Sequence, residues 1–258
     1  MEDILDADSG PGPENYDGPS LDQLHHQGYQ FDFGACFELG WKAFSKDIGS
    51  FILYTLVFFL LAFVSAFTII GLLIIALPLT AGFMIYGSKL LKGEPVEFND
   101  FFGGFKYTGS LFGYLMLCVL ATLIFFVPVG LLMGFNFSVL ESGDPLEVQQ
   151  FIYGAMMPFQ LVSWVIGLFM QTILIFVVPL IVLGQLGTMD AIKWSARIAL
   201  KNFWWLLLYS FVVSIVSQAG VFACYIGILF TLPLSQCLSL GCYAHIVGLA
   251  EKRTTIVG

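Results

Sequence analysis

Two long stretches without a single charged residue constrain the fold of this chain more than any other feature. They cover residues 48–88 and 202–250 and consist mainly of apolar side chains. Each is about twice the length of roughly 20 residues that a helix needs to cross a bilayer. Only 11% of the residues are charged, against roughly a quarter in soluble domains. Each stretch is therefore predicted to form a pair of membrane-spanning helices.

Two further apolar segments, at 107–135 and 159–187, lie between these stretches. Together they predict an all-α, polytopic membrane protein with six transmembrane helices in three hairpins. The predicted spans are 48–67, 69–91, 107–133, 159–185, 203–222 and 224–248. They form a membrane domain over residues 31–250, which is followed by a short cytoplasmic tail at 251–258.

The basic residues predict the orientation of these spans. All ten fall on one side of a six-span arrangement: Lys42, Lys46, Lys89, Lys92, Lys106, Lys193, Arg197, Lys201, Lys252 and Arg253. The opposite loop, residues 135–158, contains three carboxylates and no base, and its Asp144-Pro145 pair predicts the start of a short helix. Because loops rich in Lys and Arg stay in the cytoplasm, both termini are predicted to be cytoplasmic, in a multi-pass protein of the cell membrane.

The beginning of the chain has the opposite charge. Residues 1–32 contain no Lys or Arg but eight carboxylates: Glu2, Asp3, Asp6, Asp8, Glu14, Asp17, Asp22 and Asp32. Glycine and proline are frequent in the same stretch, and such a composition cannot bury a core. Residues 1–30 are therefore predicted to form a disordered acidic cytoplasmic tail.

A short amphipathic segment precedes each predicted hairpin, at 31–46, 96–106 and 188–201. Their aromatic and apolar residues recur at helical spacing, with Asp32 as the expected N-cap of the first helix and Thr188 as that of the third. Helices of this type lie at the membrane interface. They are expected either to pack on the bundle and lead the chain into each span, or to provide a specific site for lipid or a partner.

The third amphipathic segment carries three bases at positions i, i+4 and i+8. These are Lys193, Arg197 and Lys201, and their spacing places them in one stripe along the helix. Trp194 lies beside the stripe, and the Trp204-Trp205 pair follows at the start of the next span, where indole rings favour the interface. The stripe is predicted to face anionic lipid headgroups.

The motif Leu-Pro-Leu occurs twice, at 77–79 and 232–234, and predicts an internal repeat. A shift of 155 residues aligns the two motifs and also pairs Tyr54 with Tyr209. A related Val-Pro-Leu occurs in the middle hairpin. Membrane helices tolerate proline because neighbouring groups satisfy the freed carbonyl. Pro78, Pro179 and Pro233 are therefore predicted to kink the return helix of each hairpin.

The predicted spans contain little that could perform chemistry. They include no Asp, Glu or Arg, and Lys89 is the only lysine. No catalytic residue, metal site or cofactor site is predicted, so the chain is not expected to be an enzyme. Gln171 and Gln236 are predicted to lie at a similar depth, to face the bundle interior and to make polar contacts between helices. A polar path for a small solute is the alternative role for these two residues.

Two stretches of the chain resemble a known group of proteins. VPLIVLGQLGTMDAIKWSARIALKNFWWLLL, at 178–208, resembles the stretch of bacterial six-span proteins in which a proline-bearing helix leads into a cytoplasmic amphipathic helix. LPLTAGFMIYGSKLLKGEPVEFNDFFGGFK, at 77–106, resembles its earlier counterpart. This group of uncharacterised bacterial integral membrane proteins is similar to the membrane domain of some glycerophosphodiester phosphodiesterases. The resemblance extends over 31–250 and implies a non-catalytic module of the bacterial cytoplasmic membrane, with no catalytic residue carried over.

These observations leave two classes of function. A non-enzymatic membrane module that acts through lateral contacts with proteins or lipids fits the absence of charge in the spans. A transporter or lipid-handling protein fits the repeated, proline-bearing hairpins. The expected partners are membrane lipids, with other membrane proteins as further candidates, and no nucleic acid is expected. A close-packed interior near the three prolines would favour the module, whereas a cavity there would favour transport.

Overall fold

The computed structural model describes residues 28–67, 69–132, 144–222 and 226–249, together with Leu21 and Leu24. These residues form helices and no strand. The elements that carry the fold are α1 Phe33–Ser45, α2 Ile48–Ala66, α3 Ile69–Lys92, a 3-10 helix Phe98–Tyr107, α4 Thr108–Leu132, α5 Pro145–Phe151, a π-helical turn Ile152–Met156, α6 Met157–Leu174, α7 Val177–Val182, α8 Thr188–Lys201, α9 Phe203–Phe222 and α10 Ile228–Ile246.

Five helical stretches in the described part of the chain are long and apolar enough to cross a membrane. They are Ile48–Ala66, Ile74–Lys92, Phe98–Leu131, Met157–Val182 and Phe203–Val221. The chain is thus an all-helical protein of the polytopic membrane type, as the sequence predicts. Helix α10 occupies the sixth predicted span but is not one of the five, because proline, serine, glutamine and histidine lower its mean hydropathy.

The buried core lies at one end of the bundle. It is formed by α1, the first turns of α2 and α9, the last turns of α3 and α10, and the short helices α7 and α8. The opposite ends of α2 and α9 expose large apolar side chains, as do α4 and α6 along much of their length. Apolar side chains that face outward are what a surface surrounded by lipid requires.

Helix α1 packs closely on α10, far away in the sequence. At the crossing a Cβ atom on Gly241 would overlap the carbonyl oxygen of Cys36, and one on Gly40 would lie 2.6 Å from the Cα of Leu238. Asp32 begins α1 as predicted, since its side chain accepts a hydrogen bond from the Ala35 amide at 3.0 Å. The first amphipathic helix therefore packs against the return helix of the last predicted hairpin.

A similar close crossing joins α3 to the 3-10 helix. A Cβ atom on Gly82 would overlap the carbonyl oxygen of Phe101, and one on Gly104 would overlap that of Pro78. The second amphipathic segment is thus a 3-10 helix. It packs on α3, the helix that precedes it in the sequence. Lys89 donates to Asp100 at 2.7 Å across the same contact.

A buried tyrosine lies beside each of these two crossings. The Tyr54 hydroxyl donates to the Leu79 carbonyl oxygen at 2.8 Å, with the Phe101 carbonyl oxygen at 3.2 Å. The Tyr209 hydroxyl donates to the Leu238 carbonyl oxygen at 2.8 Å. With the shift of 155 residues, the counterpart of Leu79 would be Leu234. The Tyr209 hydroxyl instead donates to Leu238, which lies one helical turn further along α10.

A residue in the left-handed backbone region follows each of α3, α7 and α10, the helices that carry the three predicted kink prolines. Gly93 directly follows α3 and Gly248 lies two residues after the end of α10, with φ values of 71° and 85°. Gln185, which follows α7, has φ 54°. A left-handed residue lets the next amides bond back to the open carbonyls of a helix end, as Glu94 does to Lys89 at 3.0 Å.

The helices of the middle predicted hairpin contact other helices more than each other. Helix α4 packs on α3 and on α8, whereas α6 packs on α9 and on α8. Between α4 and α6 the rings of Phe126 and Phe159 meet with centroids 5.9 Å apart. The two helices of this predicted hairpin consequently share few contacts with each other.

Within the predicted disordered tail over 1–30, the structure describes Leu21, Leu24 and residues 28–30. Leu21 and Leu24 are helical and buried in the hydrophobic core, with exposures of 5% and 2%, and Tyr29 also packs against that core. Because two leucines three residues apart lie on one helix face, they can bury together despite the acidic composition around them. The predicted tail at 251–258 lies outside the described residues.

Candidate functional site: the basic face of helix α8

Helix α8 is amphipathic, with one face built into the protein. Its buried residues are Ala191, Trp194, Ser195, Ile198 and Ala199. Asp190 lies in its first turn and Lys201 in its last, so both charges complement the helix dipole. Thr188 is the first helical residue and not the N-cap, because its hydroxyl donates to the Ser110 carbonyl oxygen of α4 at 2.8 Å.

The buried side of α8 is fixed at the break between α6 and α7. The Ser195 hydroxyl donates to the Ile173 carbonyl oxygen at 2.6 Å and accepts from the Phe176 amide at 3.3 Å. Pro179 lacks the amide that would continue the helical ladder across this break. A buried side chain of α8 thus bonds to polar backbone groups at the break, which holds the helix in one orientation.

The opposite side of α8 exposes all three predicted bases. Lys193, Arg197 and Lys201 are exposed, and none of them forms a salt bridge with another described residue. The Arg197 guanidinium carbon lies 5.0 Å from the centroid of the Trp194 ring, a cation–π contact that orients the side chain. The structure therefore presents the basic stripe, defined as these three side chains, to the surroundings.

Exposed apolar side chains lie next to the basic stripe. Leu200 is 61% exposed, Trp204 is 74% exposed and Trp205 is 56% exposed. Indole rings and bases that lie together on one surface are typical of the boundary between headgroups and hydrocarbon. The combination can bind anionic headgroups through the bases while the aromatic rings enter the interface.

A segment from the N-terminal region is bonded to the end of α8. The Asn202 side-chain amide donates to the Tyr29 carbonyl oxygen at 2.7 Å, and the Tyr29 hydroxyl donates to the Ile198 carbonyl oxygen at 3.1 Å. Burial raises the pKa of the Tyr29 hydroxyl, which stays protonated as a donor. A cavity of about 290 Å³ opens here, lined by Gly28, Tyr29, Gln30, Lys201 and Asn202.

The two predicted intramembrane glutamines differ in their environments. Gln171 is exposed on α6, and Ser214 of α9 donates to its Oε1 at 3.3 Å. Gln236 is half-buried on α10. Gln171 therefore accepts this hydrogen bond at the surface of α6 and not in the bundle interior, because α6 exposes most of this face.

The three predicted proline positions are all buried. Pro78 lies inside α3 and Pro233 inside α10, whereas Pro179 lies in the short helix α7. The backbone of Gly104 fills the space beside the Pro78 carbonyl. The interior near Pro78 is therefore closely packed.

The described residues offer few groups for other chemistry. They contain no cluster of three or more His, Cys, Asp or Glu side chains that could hold a metal ion. Sequence reasoning missed the hydrogen bonds of Ser195 and of Tyr29, which join residues distant in the sequence. For the hydrogen bonds of Ser195, the only indication in the local sequence was a serine beside the apolar face of the predicted helix.

No protein-family model, curated protein or solved structure matches this chain.

Proposed function

We propose that this protein is a non-enzymatic membrane module that holds the basic stripe of α8 against anionic lipid headgroups at the cytoplasmic face of a cell membrane. The observation that supports this most directly is the exposure of all three bases beside Leu200 and Trp204, on a helix whose other face is fixed in the core. The module uses no cofactor, and its partners are lipids and, laterally, other membrane proteins.

The proposal includes six spans in three hairpins, with α10 as the sixth. Its 19 residues extend about 28 Å at 1.5 Å per residue, close to the thickness of the hydrocarbon core of roughly 30 Å. Its polar residues are compatible with a span because α1 and α9 cover much of it. The one-sided distribution of the ten bases supports cytoplasmic termini, as in the bacterial proteins that the chain resembles.

Close packing near Pro78 supports a module over a transporter, since the backbone of Gly104 occupies the space beside this proline. A lipid-handling function is the second candidate, and the separation of α4 from α6 favours it. Large apolar side chains are exposed on both helices, among them Leu123 and Ile124 of α4 and Leu161 of α6, and would offer acyl chains an apolar surface.

The experiment compares binding of anionic and neutral lipid to the detergent-solubilised full chain. The probes are dioctanoyl phosphatidylglycerol and dioctanoyl phosphatidylcholine, and the readout is tryptophan fluorescence. Because a base near an anionic surface contributes about 1 kcal/mol, Arg197→Gln is expected to weaken phosphatidylglycerol binding about fivefold. The Lys193→Gln/Arg197→Gln/Lys201→Gln variant is expected to lose its preference for the anionic lipid.

Lys106→Gln is the matched control, because Lys106 is also exposed on the predicted cytoplasmic side but lies outside α8. It is expected to bind both lipids as the unmodified chain does. An unchanged preference for phosphatidylglycerol in the triple variant would overturn the proposed function. An equal loss in the Lys106 control would assign the preference to net charge and would also contradict it.

A further inference from the structure

We infer that residues 1–20 of this chain dock on the basic stripe of α8 and compete there with anionic lipid. The inference rests on the proposed lipid contact and adds an intramolecular regulator to it. These residues precede the described part of the chain and contain six carboxylates and no base. The carboxylates are Glu2, Asp3, Asp6, Asp8, Glu14 and Asp17.

The first argument is the position at which the N-terminal region reaches the bundle. Tyr29 is bonded to Asn202 and to Ile198, and Gly28 lines the same cavity as Lys201. The chain therefore passes directly beside the C-terminal member of the basic stripe. The cavity is lined by residues 28–30 and by Lys201 and Asn202 together, so a carboxylate that enters it would meet the Lys201 side chain.

The second argument is that the chain is fixed to the core just before this point. Leu21 and Leu24 are buried in the hydrophobic core, and the Gly28 amide donates to the Leu24 carbonyl oxygen at 3.2 Å. Residues 1–20 are consequently joined to an anchored segment close to α8. A ligand that is joined to its site competes at a high effective concentration, which a short linker can raise to the millimolar range.

The third argument compares length and charge. From Lys193 to Lys201 the basic stripe extends about 12 Å, at 1.5 Å per residue of helix. Twenty residues can span up to about 65 Å when extended, which exceeds the stripe several times. Carboxylates of one segment can therefore reach all three bases. Exposed ion pairs are individually weak and screened by salt, so this docking is reversible and depends on ionic strength.

The same features favour the chain's own N-terminal region over a separate acidic protein as occupant. The three bases form no salt bridge with the described residues, and Gly28, which lies just after the N-terminal acidic stretch, lines the same cavity as Lys201. A separate protein would have to displace a segment that is already joined to the site.

The experiment uses the full chain and a variant in which the six carboxylates are neutralised without a change of length. This variant is Glu2→Gln/Asp3→Asn/Asp6→Asn/Asp8→Asn/Glu14→Gln/Asp17→Asn. Affinity for dioctanoyl phosphatidylglycerol is measured at low and high salt. The neutralised variant is expected to bind several-fold more tightly at low salt, and the difference is expected to disappear at high salt.

Two further proteins separate this inference from the proposed function. In the triple stripe variant, neutralisation of the N-terminal carboxylates is expected to give no gain, because the lipid site is gone. Glu38→Gln/Glu147→Gln removes two exposed carboxylates outside the N-terminal region and is expected to leave affinity unchanged.

Equal affinity of the neutralised variant and the unmodified chain at low salt would overturn the inference, while the stripe variant still tests the lipid contact. A gain of the same size per charge in the Glu38/Glu147 control would also overturn it, because net charge alone would then explain the change. If neither the stripe variant nor the control loses its preference for the anionic lipid, the proposed function itself is contradicted, and the inference fails with it.

Discussion

Asp47 shows how one side chain can connect two helices. Its carboxylate accepts a hydrogen bond from the Ser50 amide at 3.1 Å, as the N-cap of α2, and another from the Tyr86 hydroxyl of α3 at 2.5 Å. Burial alone would raise the pKa of this carboxyl, but the hydrogen bonds from Tyr86 and Ser50 hold the pKa below its usual range. The folded state therefore favours the charged carboxylate.

Asp47→Ala is expected to lower the free energy of unfolding by about 0.5–2 kcal/mol at pH 7, the usual range for a lost N-cap. Since the folded pKa lies below the unfolded value of about 3.9, the charged form adds stability above that pH. The difference from the unmodified chain should shrink as pH falls through the folded pKa. Thermal unfolding in detergent at pH 7 and in acid measures this.

Asp32→Ala provides the comparison for Asp47, because Asp32 caps α1 through the Ala35 amide and lies exposed. Its effect is expected to be the smaller of the two. If the unfolding temperatures of Asp47→Ala and the unmodified chain coincide at pH 7, the link between α2 and α3 contributes nothing.

Backbone contact, more than side-chain contact, determines how the helical elements cross. Gly82 and Gly104 let α3 meet the 3-10 helix, and Gly40 and Gly241 let α1 meet α10. Small residues let membrane helices approach this closely, where van der Waals packing supplies the attraction. Tyr54 and Tyr209 then donate to backbone carbonyl oxygens beside the two crossings.

Gly82→Ala and Gly241→Ala are each expected to cost about 1–3 kcal/mol, as overpacked positions generally do. In both cases the new methyl group would meet backbone atoms, which cannot rotate away as a side chain can. The measurement is thermal unfolding of the detergent-solubilised chain. Gly109→Ala is the matched control, because nothing lies within 4 Å of a Cβ atom there, and it should be neutral or slightly stabilising. Equal effects at all three positions would contradict the role assigned to the crossings.

At the scale of the whole molecule, the position of α5 relative to the 3-10 helix tests the orientation. Glu147 and Lys106 are both exposed, and the six-span proposal places them on opposite sides of the membrane. A membrane-impermeant thiol reagent applied to intact cells should modify Glu147→Cys and spare Lys106→Cys, with the unmodified chain as background. Modification of Lys106→Cys alone would reverse the orientation. Modification of both would place them on the same side and rule out the six-span count.

Local chemistry explains which features the sequence could predict. The bounds of the apolar helices agree with the predicted spans within four residues when α6 and α7 are taken as one stretch, because hydropathy changes sharply at their ends. The break after Leu174, eleven residues before the predicted end at 185, was not predicted. Asp32 and Asp144 begin their helices as predicted, since a cap depends on neighbouring residues alone. The exposed stripe on α8 likewise follows from a spacing of four residues.

Features that depend on distant residues could not be predicted in the same way. Thr188 bonds to Ser110, so it does not cap α8, and α1 has its main partner in α10. Leu21 and Leu24 are buried although the composition around them indicates disorder. Periodicity shows that a helix has an apolar face, but it does not identify the element that covers this face.

The pairing of α1 with α10 has a consequence for biosynthesis. A ribosome adds about 5–20 residues per second, so roughly 10–40 s separate the synthesis of the two helices. During that interval the close partner of α1 does not yet exist, and the surface around Gly40 must be covered by lipid, an insertase or a chaperone. Helix α1 is thus synthesised early but is among the last helices to reach its native contacts, and a nascent chain arrested before α10 would expose a surface that quality-control proteases can recognise.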